Sequence, residues 1–200
     1  MKTVFIGGYP RSGTTIAQAV LDSSPEISLT NEQSFIHAFQ FLYRKFSPRV
    51  HAEPLAFAPE DLEILLPLLT KHWIKAWEEY HEGRKEAKMI GDKVPASICY
   101  FDWLRARFDK PKFIICTRNM VDTVNSMKKN VPQFAHLGVK DLINAYKQFK
   151  VHIDREAKKE DTFVIDLDKT KEGDFAQYAN AVEFLGLDGS LVDLTLLNNE

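Results

Sequence analysis

Residues Gly8 to Thr15, Gly-Tyr-Pro-Arg-Ser-Gly-Thr-Thr, follow a short apolar run, Thr3-Val-Phe-Ile6, and lead into a stretch with helical spacing. Strand, glycine-bearing loop and helix in that order make a unit that wraps backbone N–H groups around a phosphate and aims a helix N-terminus at it. The spacing is that of a Walker A loop, except that Thr14 stands where the lysine belongs. That lysine is the group that reaches the β- and γ-phosphates of a nucleoside triphosphate. Arg11 supplies a cation at a different point of the loop. The sequence therefore predicts a site for a phosphate-like anion other than ATP or GTP.

Further short apolar runs repeat the pattern. Ile27 to Thr30, Lys88 to Gly91, Lys112 to Cys116 and Thr162 to Ile165 read as strands, the fourth of the five being the clearest. Between them, helical spacing is predicted over 14–22, 34–46, 59–81, 96–108, 120–129, 139–158 and 174–185, with Gly186 and Gly189 stopping the last helix. Strands alternating with helices at these lengths predict an α/β fold, a three-layer sandwich around a central parallel sheet of about five strands. The aromatic-rich stretch at about 35–85, with Tyr43, Trp73, Trp77 and Tyr80, reads as a helical cap inserted over the carboxyl edge of the sheet, where ligands bind in such folds. Extra helical core is an equal reading for most of those aromatics.

A chain of 200 residues fits a single domain, 1–200, with a core of its own. A formal net charge of −2 points to no nucleic-acid partner. No apolar stretch approaches the roughly 18 residues needed to span a membrane. The start, where Lys2 precedes only a few apolar residues before Gly7, Gly8 and Pro10, lacks a signal-peptide pattern, so a cytoplasmic protein is expected. Cys99 and Cys116 sit in apolar contexts and read as buried free thiols.

A second constellation accompanies the loop. Cys116-Thr-Arg118 ends the fourth strand, and Ser126 follows Arg118 by eight residues along the next helix. At a strand's carboxyl edge beside the first loop, a guanidinium fork and a hydroxyl donor suit a second phosphate. The alternative is an arginine capping a strand and a serine on a solvated helix face.

Tyr9-Pro-Arg-Ser-Gly-Thr-Thr15 resembles the 5′-phosphosulfate loop of sulfotransferases. Arg118-Asn-Met-Val-Asp-Thr-Val-Asn-Ser126 resembles their 3′-phosphate motif, Gly91-Asp-Lys-Val-Pro95 a segment common in bacterial members, and Leu21-Asp-Ser-Ser-Pro25 and Phe184-Leu-Gly-Leu187 follow in family order. The resemblance implies a P-loop fold and 3′-phosphoadenosine 5′-phosphosulfate as donor, with 3′-phosphoadenosine 5′-phosphate as product and no metal. It implies transfer of a sulfuryl group to a hydroxyl or amine of a small-molecule, saccharide or phenolic acceptor. By it, Arg11, Ser12, Gly13, Thr14 and Thr15 hold the 5′-phosphosulfate, and Arg118 and Ser126 hold the 3′-phosphate. A homodimer is compatible with it.

Sulfuryl transfer also needs a base, a His or a Glu in this family. Glu32, twenty-one residues after Arg11, resembles the base of the protein-tyrosine and heparan branches. The alternatives are His37 as base, or Glu32 as an exposed acid in a first helical turn. Lys93, by resemblance, stabilises the sulfuryl oxygens or the leaving phosphate, with Asp92 positioning it; a solvated strand-end lysine is the other reading. Lys128 and Lys129 read as a solvated helix end or as added charge near the 3′-phosphate. The remaining histidines show no metal-ligand pattern.

Two departures stand out. Asn119-Met120 replaces the usual Asp-Pro, and no basic glycine-rich lid follows Leu187, so donor closure is expected from the 130–140 segment, from a partner subunit, or not at all. Two other functions share the pattern: a P-loop small-molecule kinase, opposed by Thr14 and by the placing of the hydrophobic-Asp sequence ending at Asp166 on the last strand, and a non-catalytic nucleotide-binding protein.

Overall fold

The computed structural model describes residues 2–32, 68, 71, 72, 75, 76, 79–81, 87–134 and 136–199. Most of the expected cap, with His37, Tyr43, Trp73 and Trp77, lies outside these residues. Leu68, Lys71, His72, Lys75, Ala76 and Glu79 to His81 are helical, and Lys75 pairs with Glu79 one turn on at 3.7 Å. The chain divides into two compact units, Met1–Asn31 with Glu86–Glu200, and Glu32–Lys85.

The first unit holds a five-stranded parallel sheet. Its strands are β1 (Lys2–Gly8), β2 (Ile27–Asn31), β3 (Met89–Lys93), β4 (Lys112–Thr117) and β5 (Thr162–Asp166), in the order β2-β3-β1-β4-β5. The helices are α1 (Thr14–Asp22), α2 (Phe101–Arg105), α3 (Met120–Asn130), α4 (Val139–Glu156), α5 (Leu167–Lys171) and α6 (Ala176–Phe184). β1 lies at the centre, with Ile6 in register with both Lys93 and Ile114. Continuous apolar runs suit strands covered on both faces, and β1 and β4 are buried along almost their whole length.

Alternation along the strands sorts the core into two layers. Val4, Ile6, Ile114 and Cys116 point to one face, where Ala17, Val20 and Leu21 of α1 and Tyr178, Ala181 and Val182 of α6 cover them. Phe5 and Phe113 point to the other, where Phe5 meets Phe108 edge-on at 4.9 Å and Phe113 meets Phe101 at 4.3 Å. This is the α/β three-layer arrangement expected from the sequence.

Three local differences have physical causes. The helix expected over 96–108 is a 3-10 turn, Pro95–Tyr100, followed by α2. That segment lies so close to β1 that a Cβ on Gly7 would sit 3.0 Å from the Ile98 nitrogen, and the tighter turn accommodates the approach. The third strand runs on to Lys93, making Asp92 and Lys93 part of the sheet. α5 is unforeseen: Asp166 caps it, accepting from the Asp168 N–H at 2.9 Å. The acid of the hydrophobic-Asp sequence is thus a helix cap.

Candidate nucleotide site

The loop after β1 is shaped by two close approaches. A Cβ on Gly8 would lie 2.4 Å from the Cys116 carbonyl oxygen, so only glycine lets β1 and β4 end side by side here. Ser12 then staples the turn: its hydroxyl bonds the carbonyls of Tyr9 at 2.6 Å and Cys116 at 2.9 Å, and its N–H donates to the Tyr9 carbonyl. Ser12 shapes the loop, and its donors are used inside it. Gly13, at φ 90°, is the N-cap of α1 and offers no side-chain cap. The first N–H groups of α1 lack intrahelical partners, so an anion is their natural cap. Thr14, at the position of the Walker lysine, is buried.

A cation on the neighbouring strand stands beside the loop. Lys93 ends β3 and is 1% exposed, and its Nζ donates to the Thr15 hydroxyl at 3.3 Å. Its charge also bears on Cys116, whose thiol burial nevertheless pushes up to about 12. Asp92, adjacent in the strand and therefore on the opposite face, accepts from the Thr30 hydroxyl at 2.7 Å.

The two sequence motifs meet. Arg11 reaches across to α3 and donates from Nε to the Ser126 hydroxyl at 3.1 Å, over 115 residues of sequence. Arg118 Nη1 donates to the Arg11 carbonyl oxygen at 3.4 Å, and Nη2 donates to Asp122 Oδ2 at 3.2 Å. Arg118 Nε is buried without a hydrogen-bond partner among the described residues. A buried guanidinium N–H without an acceptor is uncommon in folded proteins. Ser126 also accepts from Asn130 at 3.3 Å, which leaves its own O–H to donate outward.

The arginine is held from below by groups that the sequence reading missed. Asp168 of α5 accepts from both the backbone N–H and the side-chain amide of Asn119, at 2.6 and 2.8 Å. Asn119 in turn caps α3 through the Asp122 N–H at 2.9 Å, and the Tyr146 hydroxyl donates to the Arg118 carbonyl at 2.7 Å. Lys171 donates to Asp122 Oδ2 at 2.8 Å. Bonds from Lys171, Asn119 and Arg118 hold the Asp122 carboxyl down at about 2, below its ordinary 3.8.

Lys128 donates to the Leu137 carbonyl at 2.7 Å, closing the turn between α3 and α4. That turn brings Phe134 and Leu137 against the cluster of Tyr9, Val124, Met127 and Leu142, so the 130–140 segment packs beside the loop. Glu32 opens the second unit, exposed, with a left-handed backbone at φ 52°; Arg11, at φ 71°, shares that conformation. Among the described residues no cluster of His, Cys, Asp or Glu could hold a metal ion, and no helix is long and apolar enough to cross a membrane.

The sequence matches the sulfotransferase family over residues 3–187. The chain belongs to that family. It is 27% identical over 136 residues to protein-tyrosine sulfotransferase 1 of Homo sapiens, covering 64% of this chain and 34% of that protein. Protein-tyrosine sulfotransferase 2 of Gallus gallus is 25% identical over a stretch of the same length. The chain thus spans about a third of the length of these relatives. Among solved structures it resembles a sulfotransferase of Alicyclobacillus acidocaldarius at TM-score 0.66, with 15% identity over 98% of this chain and 85% of that one. It resembles a shikimate kinase of Bacteroides thetaiotaomicron at TM-score 0.50, with 10% identity over 93% of this chain and 99% of that one. Such distant likenesses speak for the sulfotransferase family's P-loop fold alone.

Proposed function

We propose that this sulfotransferase-family protein moves a sulfuryl group from 3′-phosphoadenosine 5′-phosphosulfate to a hydroxyl or amine acceptor. The observation that carries the reading is the meeting of the two anion motifs, Arg11 on Ser126 and Arg118 on the Arg11 carbonyl, around a loop without the Walker lysine. A nucleotide with separate 5′ and 3′ anions needs two such sites, and Arg118 and Ser126, each bonded to Arg11, suit the second. The donor, when bound, supplies an activated sulfuryl group on a phosphate leaving group.

The residues divide the work. The N-terminal N–H groups of α1 and the Arg11 guanidinium bind the 5′ end, where charge develops on the departing phosphate. Lys93 adds a second cation from β3, held beside Thr15. Arg118 and the outward O–H of Ser126 bind the 3′-phosphate. Glu32 takes the acceptor's proton. Acceptor chemistry follows from the family: a phenol, the group named in the protein-tyrosine relatives, is the first to try, with sugars and small alcohols next.

Calorimetric titration with 3′-phosphoadenosine 5′-phosphate and with ATP–Mg²⁺ tests the donor. Binding of the bisphosphate without ATP supports the reading; binding of ATP alone replaces it with a kinase. Transfer from labelled donor to a phenol then tests the base: Glu32→Gln is expected to lower turnover by about 10²-fold or more. Undiminished turnover would remove Glu32 from the mechanism.

A further inference from the structure

We propose that Lys171 sets the preference of the second anion site for a phosphate, acting with Arg118 through a carboxylate that both cations share. This rests on the donor reading above. Asp122 Oδ2 accepts from Arg118 Nη2 at 3.2 Å and from Lys171 Nζ at 2.8 Å, so the two cations stand on one oxygen atom. Asp122 and Ser126 are four residues apart in α3 and lie on one helix face, one turn of about 5.4 Å along the axis. The Lys171 ammonium thus bonds a residue that shares a helix face with Ser126.

Charge makes this lysine decisive. Among the described residues, the charged side chains that reach Asn119 or Asp122 besides Arg118 are Lys171 and Asp168. With Arg118 and Asp122 they make two cations and two anions. Without Lys171 the cluster is net negative, and it would have to receive a phosphate dianion next to Asp122. That carboxylate sits on the same fork that must grip the phosphate. When a phosphate arrives, Arg118 turns its Nη2 from Asp122 to the phosphate oxygen; Lys171 keeps Asp122 partnered, so no carboxylate is left facing the incoming anion alone. Lys171 belongs to α5, directly after β5.

Lys171 is half exposed, so its replacement leaves the fold intact, which a thermal melt checks. The test is calorimetric titration of the full chain and of Lys171→Met and Lys171→Arg with 3′-phosphoadenosine 5′-phosphate and with adenosine 5′-phosphate, which lacks the second anion. Lys171→Met is expected to weaken the bisphosphate by about tenfold while leaving the monophosphate unchanged. Lys171→Arg is expected to restore most of the loss. The advantage of the bisphosphate in the unaltered protein shrinks with added salt, because the site is partly exposed. Equal losses for both nucleotides, or no loss for the bisphosphate, overturn the role of Lys171 and leave the donor reading standing. An unaltered protein that binds the two nucleotides alike removes both.

Discussion

Arg11 pays a conformational cost that only its side chain's position explains. At φ 71° it sits in the left-handed region, which costs an L-residue about 1–2 kcal/mol, and in return its guanidinium spans from the loop to Ser126. Arg11→Gly separates the two effects. Unfolding free energy, from urea denaturation, is expected to rise by up to about 1 kcal/mol, since relief of strain exceeds the entropy cost of glycine, about 0.5–1 kcal/mol. Bisphosphate affinity is expected to fall at least about tenfold, as for loss of a charge-assisted bond. Parallel loss of stability and affinity would mean that the strain is absent. Asp122 offers a pH test. Its folded value of about 2 lies below the ordinary 3.8, so its stabilisation is complete above the ordinary value and drains away as pH falls towards 2. Asp122→Asn lacks this component, and its stability is expected to fall less than that of the unaltered protein between pH 4 and 2. Identical pH slopes in urea titrations would show that the bonds to Lys171, Asn119 and Arg118 do not persist in solution.

At the scale of elements, β1, β4 and β5 were legible because each holds an apolar run bounded by polar or glycine residues, while β2 and β3 carry shorter or interrupted ones. The loop was legible because its spacing is tied to one backbone geometry. α5 was not: five residues carry no measurable period. Its bonds from Asp168 to Asn119 and from Lys171 to Asp122 each join residues 49 positions apart. Ser12 was read as an anion ligand, and its use in stapling Tyr9 to Cys116 is a three-dimensional fact with no mark in the sequence. The same holds for the ionic cluster that joins α2, α4 and β5. Arg105 grips Asp161 with Nε and Nη2 at 2.6 and 2.9 Å and donates from Nη1 to Glu156 at 2.6 Å. Glu156 is fully buried, and Arg155 and Lys159 complete its bonds. Arg105→Met strips the main partner from a buried carboxylate and is expected to cost about 3 kcal/mol in urea denaturation. Bisphosphate affinity should be unchanged, because Asp161 precedes β5 at the sheet edge opposite the loop. A loss under about 1 kcal/mol would show Arg155 and Lys159 to be sufficient.

At the scale of the molecule, the parallel sheet does not choose between sulfuryl and phosphoryl transfer, since kinases and sulfotransferases both resemble it. What sets the loop apart from a Walker A site lies in its side chains: Thr14 is buried where the lysine belongs, and Lys93 reaches Thr15 from β3. On the proposed reading these groups hold a nucleotide with two separated anions, and binding to the folded state alone stabilises it. At a ligand concentration 100 times the dissociation constant the gain is about 2.7 kcal/mol. For a chain of this size each kcal/mol raises the melting temperature by about 2–4 °C. Thermal melts with saturating 3′-phosphoadenosine 5′-phosphate are therefore expected to shift upward by about 5–11 °C, and melts with ATP–Mg²⁺ by far less. Arg118→Lys keeps the charge but loses the planar fork, so it should remove most of the bisphosphate shift while leaving the melt without ligand nearly in place. A full shift in that variant would mean that the bisphosphate is held by the first loop alone, and that the second motif is not its partner.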